Sequence, residues 1–214
     1  MEDFLQVIPS LLEGTGTTLT LFALTLVLSI PLGMVICLGR MSKIKPIRWL
    51  AQLYILIFRG TPLMLQLIFF FFGMPMLGLP LEREMAAVIT FALNYAAYFA
   101  EIFRGGIQSI PRGQYEASQV LGLSSSQRFF KIIIPQVVKR VIPPIGNETV
   151  TLVKDTALVY AIALSDLLRS AQVIMMRQNN LNALIVAALF YLIMTSLVTF
   201  LFNQLEKKLS YYTI

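Results

Sequence analysis

The sequence contains no histidine and a single cysteine, Cys37. Without histidine there is no Ser-His or Cys-His pair to activate a nucleophile. One cysteine can form neither a zinc-binding set nor an internal disulfide. Cys37 lies in an apolar run and reads as a small buried hydrophobe. No Gly-x-Ser-x-Gly elbow is present, and no Gly-x4-Gly-Lys-Ser/Thr loop that would cradle ATP phosphates. The chain therefore reads as a non-enzyme that binds neither a cofactor nor ATP itself. Charge is also scarce: 13% of residues, against about 25% in an average soluble domain. The start, Met1-Glu2-Asp3, lacks the basic region of a secretory signal.

What fills the space is apolar: 57% of the 214 residues. Residues 14–39 carry no charge, and a membrane-spanning helix needs about 20 apolar residues. Similar runs predict an all-α membrane protein with five spans in a single domain, 1–214, at about 14–39, 49–73, 85–103, 137–164 and 181–205. Before them, Phe4, Leu5, Ile8, Leu11 and Leu12 share one helical face, so residues 1–13 are expected to form an amphipathic helix on the membrane surface. Trp49 suits an interface anchor. Pro62 is expected to kink the second span, and Pro143, Pro144 and Gly146 to break the fourth.

The net charge of +6 could suggest nucleic acid, but its distribution points to a bilayer. Arg40, Lys43, Lys45, Arg48, Arg104, Arg112, Arg128, Lys131, Lys139, Arg140, Lys207 and Lys208 all fall on one side of a five-span layout. Arg83, Arg169 and Arg177 fall on the other. The positive-inside rule puts the first group in the cytoplasm, giving an external N-terminus and a cytoplasmic C-terminus.

Charges inside spans cost roughly 2.5–3.5 kcal/mol each on insertion scales, so those present call for a reason. Arg59 lies ~16 Å along an ideal helix from Arg48, Asn94 ~15 Å from Glu84, and Asp155 ~21 Å from Val141. All three approach the midplane of a core about 30 Å thick. Asn94, Tyr98 and Glu101 stand at i, i+4 and i+7; Glu148, Thr151 and Asp155 stand at i, i+3 and i+7. Each set makes a polar stripe suited to a wet interior. Arg59, Asn94, Tyr98, Glu148, Thr151 and Asp155 are thus candidates for a site that takes an amino acid by both ends. In that site Glu148 and Asp155 would receive a cationic group, and Arg59 or Asn94 a carboxylate. The alternative is an internal ion-pair network: Glu101 with Arg104, and Arg59 with Glu148 or Asp155.

The longest polar stretch is 115–135. Its first helix should end at Gly122, and Ser124-Ser125-Ser126-Gln127 fits a capping box for a second. Glu116, Ala117, Ser118, Gly122, Ile132, Ile134 and Pro135 together resemble the EAA loop of ABC-importer permeases, with Ser118 where Ala is usual and Ile134 where Leu is usual. Arg59-Gly60-Thr61-Pro62, Lys154-Asp155-Thr156 and Ser165-Asp166-Leu167 resemble landmarks of the polar-amino-acid subfamily, the histidine, arginine and glutamine permease type. The resemblance implies a type I importer permease fold in the bacterial inner membrane. It implies a coupling loop at 111–131, in which Tyr115, Glu116, Ala117, Ser118, Leu121 and Gly122 meet the ATPase. It also implies partners: a second permease chain, identical or a close paralogue, two ABC ATPases that bind the ATP, and an extracytoplasmic amino-acid-binding protein. The acids of the fourth span favour basic amino acids, arginine first and histidine or lysine next. Glutamine or glutamate follows, since Lys154 and Arg59 could neutralise both acids. A secondary transporter is the rival from another class, weakened by the absence of an inverted repeat.

Overall fold

The computed structural model describes residues 2–179 and 181–209, with side chains from residue 8 onward. Every regular element in that range is helical. The first, α1 (Glu2–Arg40), is one uninterrupted helix. The expected separate surface helix over 1–13 is therefore not a distinct element. Gly14 lets this helix pass close to the 166–170 segment: a Cβ there would lie 2.7 Å from the Asp166 carbonyl oxygen. Leu11 is buried against that region, whereas Leu12 is exposed; Phe4 and Leu5 lie outside the described side chains.

The second stretch departs further from expectation. α2 (Lys45–Gly60) and α3 (Leu63–Ile68) meet at 103°, a break rather than a kink. Proline disfavours helical backbone in the residue before it, and Thr61, ahead of Pro62, is extended at φ −121°, ψ 149°. α3 runs on through a π turn (Phe69–Gly73) and a 3-10 turn (Met74–Leu77) to Gly78.

At the centre stands α4 (Arg83–Gln108). Ala86, Ala87, Phe91, Tyr95, Phe99 and Phe103 are all buried, with Ala92, Ala96, Ala97 and Ala100 between them. A helix apolar over most of its surface belongs inside a bundle. Small residues let its neighbours approach: Gly33 of α1 meets Ala96 and Phe99, and Gly106 meets Val141.

After α4 come the short polar helix α5 (Arg112–Val120) and the single turn α6 (Ser125–Gln127). A π turn (Arg128–Ile133) leads into α7 (Ile134–Asp155), which passes through Pro143 and Pro144 without interruption. The expected break there does not occur. Membrane helices tolerate proline where neighbours shelter the freed backbone groups, and Gly146 packs here against Phe202. The chain turns instead at a 3-10 segment (Thr156–Ile162) that ends at Ala163, φ 59°. α8 (Leu167–Gln178) occupies the stretch between the fourth and fifth expected spans, and α9 (Asn182–Leu209) closes the fold.

Among the described residues, three helical stretches are long and apolar enough to cross a membrane: Ile8–Arg40, Arg83–Gln108 and Asn182–Leu209. Counting each bent pair as one span, Lys45–Gly60 with Leu63–Leu77 and Ser125–Ile162 with Leu167–Gln178, brings the number to five.

Candidate functional site

The break between α2 and α3 is held open by two amides. Gln66 donates through Nε2 to the carbonyls of Phe58 (3.0 Å) and Thr61 (3.1 Å) and to Thr61 Oγ1 (2.8 Å). Asn94 of α4 donates through Nδ2 to Phe58 O (2.8 Å) and Gln66 Oε1 (2.9 Å). Carbonyls freed at the end of α2 thus find donors without water.

Beside this brace lies a cavity of about 610 Å³, lined by Arg59, Asn94, Tyr98, Glu148, Thr151 and Asp155 together with Thr61 and Tyr95. All six residues proposed from sequence are brought to one place, and the size falls within the usual range for small-molecule sites. Their roles differ. Asn94 is 4% exposed and its amide hydrogens serve α2 and Gln66, so it braces the cavity and is not free to bind a carboxylate. Asp155 accepts a hydrogen bond from Tyr95 Oη at 2.8 Å. Thr151 donates to Asn147 O at 3.1 Å. Lys154 is exposed and stands outside the cavity lining.

Arg59 does not pair closely with Glu148 or Asp155. Its guanidinium lies 5.1 Å from the Tyr98 ring centre, within cation–π range, and its Nη1 is 3.9 Å from Glu101 Oε2. Glu101, last of the α4 stripe, stands next to the cavity rather than in its lining. It holds Arg104 by two bonds, 2.9 Å from Nε and 2.6 Å from Nη2, the pairing expected at i, i+3, and Arg40 comes within 3.9 Å.

Sequence reasoning missed Tyr95 and Gln66. Tyr95 is off the Asn94–Tyr98–Glu101 stripe because it faces α7 instead. Gln66 carried a signal: it is the one amide in the run from Leu63 to Phe72.

On the polar stretch, α5 and the turn after it present Glu116, Ala117, Val120 and Leu121 outward, the last two 88% and 76% exposed. Tyr115 is half-buried against the main core. Ser118 is buried and donates to Tyr115 O at 2.8 Å. Both therefore seat the helix from beneath. Gly122 has φ +71°, the left-handed cap expected of it, and Ser124 and Gln127 close the capping box.

A bundle of apolar helices around a polar cavity, with a separate short helix exposing valine and a leucine beside it, is an architecture suited to a membrane transport subunit. Over residues 29–211 the chain matches the family described as binding-protein-dependent transport system inner membrane component, and it belongs to that family. It is similar to the arginine transport system permease protein ArtQ of Bacillus subtilis (strain 168), 39% identical over 94% of this chain and 93% of that one. It is also similar to the L-cystine transport system permease protein TcyB of the same organism, 36% identical over 95% and 88%. The putative glutamine transport system permease protein GlnP of Rickettsia bellii is 34% identical over 93% and 92%. A crystal structure of an amino acid ABC transporter with histidines superposes with a TM-score of 0.90 at 34% identity, covering 96% of this chain and 97% of that one. The fold is that of the type I importer permeases, and the chain is a permease subunit of the amino-acid ABC importer type.

Proposed function

We propose that this permease carries basic amino acids, arginine first and then histidine or lysine, through the cavity between α2, α4 and α7. The observation that carries the reading is the pair Glu148 and Asp155 on that cavity, with no lysine in its lining. Asp155 and Glu148 receive the cationic side chain or ammonium, and Arg59 takes the carboxylate. The similarity to an arginine permease supports this order. Glutamine or glutamate is the second reading, favoured by Arg59, whose charge offsets one acid.

In this proposal the N-terminus is external, the C-terminus is cytoplasmic, and five spans cross the bacterial inner membrane. A second permease chain completes the path. Two ATPases bind the ATP and dock on α5 through Glu116, Ala117 and Leu121. An extracytoplasmic binding protein delivers the amino acid. The twelve-to-three division of basic residues supports the orientation. A topology reporter at Gly78 should read external, and one at Ser210, outside the described residues, should read cytoplasmic. A cytoplasmic signal at Gly78 overturns the five-span arrangement. For the substrate, the test is uptake by the reconstituted complex carrying Asp155→Asn. Arginine transport should fall more than glutamine transport, and equal loss in an assembled complex assigns Asp155 to packing.

A further inference from the structure

Between Glu13 and Glu82 the chain carries no acidic residue, yet it carries Arg40, Lys43, Lys45, Arg48 and Arg59. Arg40 and Arg59 each find a carboxylate, Glu101, at 3.9 Å. Lys43, Lys45 and Arg48 find none. All three are exposed, and among the described residues their side chains make no hydrogen bond, ion pair or ring contact. They sit at the corner between α1 and α2, where one candidate span ends and the next begins. Ser42 Oγ accepts from Ile44 N at 3.1 Å and shapes the turn. Lys45, Arg48 and Trp49 stand at i, i+3 and i+4 on one face of α2, and Leu53 and Leu56 continue it at i+8 and i+11. Trp49, Leu53 and Leu56 are all exposed. The other face of α2 packs on the bundle through Tyr54, Ile55 and Phe58.

We propose that this corner binds the headgroup of an anionic phospholipid, whose acyl chains lie along Trp49, Leu53 and Leu56. The stripe has the polarity of a lipid molecule, cationic at its start and apolar beyond it. From Lys45 to Leu56 is ~16 Å along an ideal helix, about one leaflet of a core about 30 Å thick. A soluble anion would leave the leucines uncovered. Lysine and arginine lay their stems on apolar surface while the charge reaches the headgroup, and an indole favours the same depth. Cations beside an anionic leaflet are attracted to it one by one. The chain supplies no carboxylate to these three, so the lipid supplies the counter-charge. The headgroup thereby holds the start of a helix whose last turn brings Arg59 to the cavity. None of this depends on which amino acid the cavity takes.

Trp49 is the only tryptophan in the chain, so its fluorescence reports on this corner directly. The test reconstitutes the full chain in phosphatidylcholine vesicles containing an equal fraction of brominated phosphatidylglycerol or of brominated phosphatidylcholine. Bromine on the acyl chains quenches indole emission on contact. The anionic lipid should quench more strongly, with a relative affinity of about fivefold or more. Equal quenching by the two lipids overturns the proposal. Lys43→Gln, Lys45→Gln and Arg48→Gln combined should bring the relative affinity to about one. A preference that survives the triple variant belongs elsewhere in the protein and also overturns it. If the triple variant does not insert, Lys45→Gln and Arg48→Gln decide singly. Each should lower the relative affinity about twofold or more, and two unchanged values overturn the proposal. A final arm adds the ATPase subunits with their own tryptophans replaced by phenylalanine. A preference kept in the assembled complex supports the lipid site. A preference abolished by the ATPase makes the corner a protein interface and overturns it.

Discussion

Asp155 and Asp166 are neighbours in sequence and opposites in environment. Asp166 is wholly buried and caps α8: its oxygens accept from the backbone of Leu168 (3.1 Å) and Arg169 (3.0 Å) and from Tyr191 Oη (3.2 Å). Thr18 of α1 accepts from Leu167 N at 3.2 Å beside it, so three helices meet on this turn. Asp155 is half-buried, accepts from Tyr95, and lines a cavity. A carboxylate whose lone pairs are filled by protein donors is an architectural part. One with capacity to spare beside a cavity is available to a ligand. Burial alone would have ranked these two the wrong way round for function.

The largest effect is expected where the carboxylate is fully used. Asp166→Ala removes a helix cap and leaves buried donors unpaired, at roughly 2–4 kcal/mol. The complex should lose assembly or melt markedly lower, with no change in relative substrate preference in whatever material survives. Thermal unfolding of the purified complex, followed by binding, checks both halves. A selective substrate defect with normal melting would erase the contrast between the two aspartates.

Asp155→Asn comes next. Hydrogen bonds to a charged group are worth about 1.5–3 kcal/mol, so arginine binding should weaken tenfold or more. Melting should move little, because the amide oxygen introduced by the substitution can still accept from Tyr95. Comparing arginine with glutamine in one titration series reads the effect directly.

Gly122→Val and Glu116→Lys probe a third region, remote from both aspartates. Gly122 has open space around it, so valine would suffer from its φ of +71° and not from a clash. The strain is roughly 1–3 kcal/mol and falls on the end of α5. Substrate binding to the membrane site should be unchanged. ATPase stimulation by delivered amino acid should drop, which reconstituted complexes with and without binding protein would reveal. Full stimulation in both variants would make α5 an ordinary surface helix.

The contrast also explains what is legible in advance. Period and spacing locate the cavity because Asn94 with Tyr98 and Glu148 with Asp155 repeat at helical intervals, and such stripes survive errors in helix boundaries. They do not assign roles. Asn94 is spent on the Phe58 carbonyl and on Gln66 because the chain turns by 103° at Pro62, where the sequence predicts a mere kink. Proline misleads in both directions: one proline splits a helix and two adjacent ones do not. The difference lies in tertiary surroundings, where Gln66 and Asn94 satisfy the broken turn while Gly146 keeps α7 packed on α9. Asp166 stands out as a landmark, yet nothing local marks the turn where α1, α8 and α9 meet, because Tyr191, which donates to Asp166, and Thr18, which accepts from Leu167 N, are far away in sequence.

The smallest and sharpest test uses the two tyrosines, since each aspartate accepts from one: Tyr95 at 2.8 Å and Tyr191 at 3.2 Å. Removing either hydroxyl with phenylalanine deletes the same bond chemically and leaves the ring in place. Asp166 keeps its two backbone donors after Tyr191→Phe, so the loss should be a stability effect of about 1 kcal/mol, seen as a modest fall in melting temperature with unaltered arginine and glutamine affinities. Tyr95→Phe removes a donor that competes with substrate for Asp155. Melting should shift as little or less, because the cavity leaves the carboxylate accessible to water. Arginine affinity should rise by a few-fold, since the carboxylate then has one more lone pair for a guanidinium. If the two variants behave alike, each lowering stability without touching selectivity, then Tyr95 and Asp155 form a packing pair like the other. The distinction drawn between the carboxylates would then fail at its most direct point.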